Sequence, residues 1–207
     1  MNQARSSFWQ KLLRRFFLIP AGYGRPADPG VMDREYTSGA WAHFHQPQEQ
    51  PRQAAVVDYV ARVHAEPSVL DLGCGSGRLA QLLLDRPIRR YVGVDFSPEG
   101  LRLARELALP RAEFVEGDFE TWLPADKFDV IIFSECIGYA HDPGRLIARF
   151  LPWLERDGAV IISLYRSESW PARWQRVYQH VQIVAETTVT NDQAQIWDIR
   201  LLRPIPA

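Results

Sequence analysis

The chain has 207 residues, 46% hydrophobic and 24% charged, with a formal net charge of -1 at pH 7. Such a composition belongs to a globular domain with a sizeable core, and the near-neutral balance excludes the strongly basic character of a general nucleic-acid binder while leaving room for a local basic patch. Two cysteines, Cys74 and Cys136, are too few for a disulfide framework, so a reducing cytoplasm is the expected setting; no apolar run reaches the roughly 20 residues needed to span a bilayer.

In chain order, the first expected element is a basic amphipathic helix. Phe8, Trp9, Leu12, Leu13, Phe16 and Phe17 recur at helical spacing, with Arg5, Lys11, Arg14 and Arg15 among them. The cations interrupt the apolar stretch and no small-residue cleavage site follows, which argues against a signal peptide. Such a helix either packs on its own domain or frays, or it docks on a membrane surface or a partner. Pro20, Gly22, Gly24, Pro26 and Pro29 then mark a linker or extended loop. Residues 33–45 are aromatic and polar without a clean period, and Tyr36, Trp41, His43 and His45 suit the wall of a lid. Residues 1–46 are thus expected to precede a catalytic domain over 47–207.

After Pro51, Ala54, Ala55, Val57, Val60 and Ala61 suggest a helix that stops before Pro67. Short apolar runs then alternate with helical stretches. Strands are expected at 68–72, 91–96, 113–115, 128–133 and 159–164, with helices at 78–84, 98–108 and 144–154. That alternation argues for a parallel sheet with crossover helices. A further helix is expected at 170–180, and the β-rich runs 183–190 and 195–202 read as a closing antiparallel hairpin around Asn191-Asp192-Gln193. A nicotinamide-binding domain is not expected to end in this way.

The strongest local signal is Val69-Leu70-Asp71-Leu72-Gly73-Cys74-Gly75-Ser76-Gly77. An apolar strand runs into glycines at alternate positions, and a helix follows. Glycine permits the turn and lets a ligand approach the backbone, while the helix N-terminus offers unpaired N–H groups. A dinucleotide loop prefers Gly-x-Gly-x-x-Gly, which seats a pyrophosphate. Here the spacing is Gly-x-Gly-x-Gly with Asp71 before it, which suits a cationic cofactor; a tight turn without a ligand is the alternative. Asp95 ends the second strand about 20 residues on, where an acid accepts from ribose hydroxyls, and Phe96 beside it suits an adenine face. Asp95 also reads as a helix cap, although Ser97 is better placed for that. Asp118 and Phe119 follow the third strand, in a Gly-Asp pair that is otherwise a common turn.

These motifs, in this order, resemble those of class I S-adenosylmethionine-dependent methyltransferases, from about residue 53 to 202. The resemblance implies an α/β fold with a doubly wound, mostly parallel, seven-stranded Rossmann-like sheet and an antiparallel C-terminal hairpin. It implies S-adenosylmethionine as cofactor, with Asp71, Gly73, Gly75 and Gly77 at the methionine end and Cys74 inside the same loop. It places Asp95 at the ribose, and Phe96, Asp118 and Phe119 at the adenine. Ser134-Glu135-Cys136-Ile137 matches the stretch lining the methionine moiety and the transferring methyl. Departures are informative. Gly138-Tyr139 stands where many small-molecule members have Glu-His. The Pro-Pro-aromatic motif of adenine and glutamine N-methylases is absent, as is the Pro-Cys nucleophile of cytosine C5-methylases, which argues against a nucleic-acid substrate.

Methyl transfer from a sulfonium is an in-line displacement, so alignment and a dry site are the main requirements. A base is needed only when the acceptor must lose a proton. Tyr139 and His141, after the fourth strand, are the expected catalytic residues; alternatively Tyr139 packs as a lid residue and His141 caps or faces water. No Cys or acid stands at a metal spacing from His43 and His45, so no metal is expected. Cys74 and Cys136 have no paired base and read as small packing residues. The expected activity is methyl transfer to an O or N atom of a small molecule. The rivals are a protein that binds the cofactor without transfer and a nicotinamide-dependent oxidoreductase.

Overall fold

The computed structural model describes residues 14–167 and 170–206. Most of the amphipathic helix expected at 8–17 lies outside those residues; within them, Arg14–Leu18 forms a π-helical turn with Phe16 and Phe17 exposed. The segment 20–28 is extended or turned. Helix α1 (Pro29–Thr37) follows, started by Asp28, whose side chain accepts from the Val31 N–H, and by Pro29 in the first turn. The chain reads there as loop because α1 buries no residue fully and so carries no apolar stripe. A 3₁₀ turn, Ala40–His45, leads through Pro47–Glu49 into α2 (Gln50–Val63).

The sheet contains β1 (Ser68–Leu72), β2 (Arg90–Asp95), β3 (Ala112–Glu116), β4 (Phe128–Ser134), β5 (Leu154–Tyr165), β6 (Val181–Thr190) and β7 (Ile196–Pro204). Their order is β3-β2-β1-β4-β5-β7-β6. The first five strands pair in parallel, whereas β7 runs antiparallel to both β5 and β6. The crossovers are α3 (Arg78–Leu84), α4 (Pro98–Glu106), α5 (Pro143–Phe150) and α6 (Trp170–Val177). Helix α5 is shorter than the sequence pattern suggests. Pro152 helps break it into a 3₁₀ turn, Leu151–Trp153, and β5 begins at once with Leu154.

Alternation along the strands divides the core in two. Val69, Tyr91, Val130, Ile132 and Ile161 pack with Val56, Val60, Leu79 and Leu83 of α2 and α3. Leu70, Leu72, Ile131, Phe133 and Ile162 pack on the opposite side with Leu146, Ile147, Phe150, Trp174 and Val177 of α5 and α6. Central strands buried on both faces leave only their C-terminal ends for chemistry. Asp71, Asp95 and Ser134 lie at those ends.

Candidate active site

The turn after β1 places Gly73, Gly75 and Gly77 at φ values of 72°, 53° and 76°, a region that L side chains rarely adopt. Close packing adds a second requirement at two of them. A Cβ on Gly73 would meet the Cys136 Cβ at 2.6 Å, and one on Gly75 would collide with the Tyr36 hydroxyl. The loop is therefore threaded between the turn after β4 and helix α1.

Two buried carboxyls hold this edge. Tyr91 donates its hydroxyl to Asp71 Oδ2 at 2.6 Å, while Asp71 Oδ1 is buried with no hydrogen-bond partner in the protein. Burial dominates the Asp71 environment and pushes its pKa up to about 7, against the opposing pull of the Tyr91 hydrogen bond. Asp95 accepts from the Gly75 N–H through Oδ2 and from the Ser97 N–H through Oδ1, both at 2.9 Å. Burial raises its pKa too, opposed by those backbone bonds. Asp95 thus organises the glycine loop. Ser97 is the α4 cap, accepting from the Gly100 N–H at 3.1 Å.

The segment expected as a lid reaches this edge. Asp33 Oδ1 accepts from Ser97 Oγ and from the Glu99 N–H, both at 2.9 Å, latching α1 onto the start of α4. The Tyr36 ring lies over Gly100 and its hydroxyl over Gly75; burial, then the Asp95 charge, push its phenol well above the usual range. Trp41 stacks on Phe44 at 5.5 Å between ring centroids, and His43 lies 4.3 Å from Phe44. His43 is exposed and its Nδ1 is 2.8 Å from the Ala40 carbonyl, so it serves the turn. His45 Nε2 lies 3.0 Å from Ser76 Oγ, in the glycine loop. Burial and then Arg78 lower its pKa.

After β4, Glu135 adopts φ 60°, an uncommon conformation for a non-glycine residue. Its carboxylate accepts from Ser163 Oγ at 2.5 Å and the Tyr165 N–H at 3.1 Å, binding the turn to the end of β5. Burial raises the Glu135 pKa against the attraction of Arg52. The Cys136 thiol donates to the Leu72 carbonyl at 2.8 Å, and burial pushes both thiols well up. Neither is poised as a thiolate nucleophile.

Tyr139 is half-buried, and burial followed by the Glu35 charge raises its pKa. His141 is exposed. Its N–H donates to Glu120 Oε1 at 2.5 Å and its Nδ1 lies 3.2 Å from the same oxygen. It lines a different hollow, with Leu18, Tyr23, Arg145 and Arg149. Phe96 is half-buried and Asp118 is exposed, its Oδ1 accepting from the Glu120 N–H. The Phe119 ring packs into the α5–α6 side of the core.

Arg52 is the residue that the motif reading missed. Though only 2% exposed, it pairs with Glu49 at 2.9 Å and donates to Ser134 Oγ at 2.9 Å. Its guanidinium lies 5.5 Å from the Phe44 ring centroid. Arg52 and Gln53 share the buried stripe of α2 with Val56, Val57 and Val60, so a cation on an apolar helix face was the available signal. Together Tyr36, Arg52, Asp71, Gly73, Gly75 and Ser134 line one cleft. Among the described residues no cluster of His, Cys, Asp and Glu is arranged to hold a metal ion.

A family model described as a methyltransferase domain matches residues 1–194. The chain belongs to this methyltransferase-domain family. Trans-aconitate 2-methyltransferase of Azoarcus sp. (strain BH72) is 37% identical over 124 residues, covering 58% of this chain and 49% of the relative. The enzyme of the same name from Escherichia fergusonii is 32% identical over 133 residues, covering 63% and 51%. This methyltransferase domain therefore spans about half the length of the curated relatives it matches. Its fold resembles N-methyltransferase NodS from Bradyrhizobium japonicum WM9 in complex with S-adenosylhomocysteine, at TM-score 0.72 and 17% identity, covering 86% of this chain and 98% of that one. A second likeness is the Burkholderia thailandensis 1,6-didemethyltoxoflavin-N1-methyltransferase, at TM-score 0.70 and 21% identity, covering 87% and 92%.

Proposed function

We propose that this chain binds S-adenosylmethionine along the glycine loop and transfers its methyl group to an O or N atom of a small-molecule acceptor. The observation that carries the reading is Asp71 Oδ1, a buried acceptor atom without a protein partner beside a loop of left-handed glycines. A buried orphan acceptor costs free energy unless a ligand donates to it, and an ammonium would do so with opposite charge. The remaining donor set fits the same cofactor. Arg52 offers a guanidinium to a carboxylate, Asp95 retains lone pairs for ribose hydroxyls, and we assign Phe96, Asp118 and the Phe119 backbone N–H, its ring being in the core, to the adenine end.

When bound, the cofactor supplies an activated methyl on a sulfonium. The chain's own work is to orient and to exclude water. Tyr36, Trp41 and Phe44 cover the loop, and we assign residues 1–46 to a lid-bearing segment ahead of a catalytic domain over 47–207. Tyr139, on the turn after β4, is assigned to the acceptor side, where its raised pKa makes positioning rather than proton abstraction its role; His141, held by Glu120 in a separate hollow, is left out of the methyl-transfer step. The trans-aconitate methyltransferases among the relatives support a small acceptor, and this reading includes no nucleic acid. Exposed Phe16 and Phe17 beside Arg15 support a peripheral membrane or partner contact in a cytoplasmic setting.

Calorimetric titration tests the cofactor. Binding of S-adenosylmethionine and S-adenosylhomocysteine is expected, and binding of NADH in their place would overturn it. Release of S-adenosylhomocysteine in the presence of a metabolite extract separates an enzyme from a binding protein.

A further inference from the structure

Gln53 is a buried amide with one end bonded and the other bare. It lies on the inward stripe of α2 with Arg52, Val56, Val57 and Val60 and is 4% exposed. Its Nε2 donates to the Phe44 carbonyl at 2.7 Å. That bond sets the sense of the amide, because a backbone carbonyl only accepts and must therefore face the nitrogen. The opposite end, Oε1, is buried and has no hydrogen-bond partner in the protein. Gln53 also lines the cleft shared by Arg52, Asp71, Gly75 and Ser134.

Holding the lid turn does not account for the whole side chain. A residue placed there to grip Phe44 needs a donor and nothing more. The amide brings an acceptor as well, and a stranded buried acceptor destabilises the fold. Among the described residues, the cleft has two buried acceptor atoms in this condition, Gln53 Oε1 and Asp71 Oδ1. Arg78 Nε is a buried donor on the same cleft and also lacks a partner, so it bonds to neither oxygen.

An ammonium carries three N–H donors, of which a single carboxylate oxygen engages one. A neutral amide is the less costly second acceptor in a buried place, since another carboxylate there would have to be desolvated. It would also compete with Glu49 for the adjoining Arg52 guanidinium. From the two unpartnered oxygens on one cleft, we infer that Gln53 is a ligand of the cofactor's ammonium, accepting through Oε1 while Asp71 Oδ1 balances the charge. The inference rests on the cofactor reading above. Gln53 then has one end on the ligand and the other on the lid turn. A bound ammonium holds the amide in the sense that grips Phe44, whose ring also lies against Arg52.

The contact is measured by binding, with the full chain and no acceptor. Wild type, Gln53→Met and Gln53→Glu are titrated calorimetrically with S-adenosylhomocysteine and with its analogue bearing hydrogen in place of the amino group. Methionine keeps the length of the side chain and removes both polar ends. Glutamate keeps an acceptor oxygen and removes the donor to Phe44. The wild type should prefer S-adenosylhomocysteine over the analogue by about tenfold or more, the size of one charged hydrogen bond. Gln53→Met should lose about fivefold or more of that preference, and Gln53→Glu should keep most of it. Thermal unfolding shows whether each variant is folded; if Gln53→Met is not, Gln53→Glu alone carries the comparison. A preference unchanged in Gln53→Met would make Gln53 a brace for the lid turn, and a preference lost in Gln53→Glu would trace it to the Phe44 bond. Either result, or a wild type that binds both ligands equally, would overturn the ammonium contact alone. Failure of S-adenosylhomocysteine to bind would remove the methyl-transfer reading and this inference with it.

Discussion

Asp71→Asn should make the ligand-free protein more stable at alkaline pH while crippling its cofactor site. The wild-type carboxyl is 1% exposed, and burial moves its pKa from an ordinary 3.8 to about 7. The folded state thus holds the proton more tightly than the unfolded chain. Asp71 favours folding most below pH 3.8, and that contribution is lost as pH rises to about 7. At about 1.4 kcal/mol for each factor of ten, ionised Asp71 costs about 4 kcal/mol. Asparagine keeps the acceptor for Tyr91 but leaves an amide without a partner, costing about 1–3 kcal/mol. The net gain is about 1–3 kcal/mol at pH 8, or about 2–12 °C in Tm for a chain of this size. At pH 5 the folded wild type is protonated and the gain should vanish or reverse. Thermal unfolding of both proteins between pH 5 and 8.5 reads the difference. A Tm difference independent of pH, or a variant less stable at pH 8, would refute the assignment of the burial cost to Asp71. With S-adenosylmethionine present the order should invert, because the ammonium gives Asp71 Oδ1 its missing partner; wild-type affinity should therefore rise as pH passes 7.

Asp95→Ala should weaken S-adenosylmethionine binding by about 1.5–3 kcal/mol, and because Gly75 and Ser97 both donate to this carboxylate it should also lower the unfolding midpoint. Unchanged affinity with a large stability loss would make Asp95 a loop brace alone. The Arg52→Met/Glu49→Gln double variant removes a buried ion pair without stranding either charge; it should fold, and should bind S-adenosylhomocysteine at least about tenfold more weakly if Arg52 holds the carboxylate. Deleting residues 1–19 should leave cofactor binding nearly intact, whereas deleting 1–46 removes Asp33, Tyr36 and Trp41 and should loosen it. Equal affinity for the two truncations in calorimetry would rule out the lid.

The sheet was legible because its signals are local. Five apolar runs at parallel-strand length, three strand-terminal acids and Gly-x-Gly-x-Gly are all read without knowing what packs where. The closing hairpin was visible too, but not its insertion, since nothing in residues 183–202 says that β7 rather than β6 joins β5. The site's second half was hidden for a different reason. Asp33 and Arg52 act through partners far along the chain: Ser97 and Ser134. Asp95 reads in the sequence as a ligand contact or a helix cap, and its bond to the Gly75 N–H depends on how the loop folds back. Helix α1 escaped because it turns few apolar residues inward, although Asp28-Pro29 was a readable start signal.

The position of β7 also constrains how the protein is made. This strand lies between β5 and β6 and carries the buried Ile199, Leu201 and Leu202, yet it is the last of the seven to leave the ribosome. Until then β5 has a bare edge, and β6 has no partner in the sheet at all. Both are β-rich, and an exposed edge is a template for pairing with another chain. The glycine loop and the five parallel strands can form earlier. The nascent protein therefore passes through a stage in which its cofactor cleft can be assembled while the β5 edge is still open to association with neighbours, and the last strand closes that edge and brings β6 into the sheet.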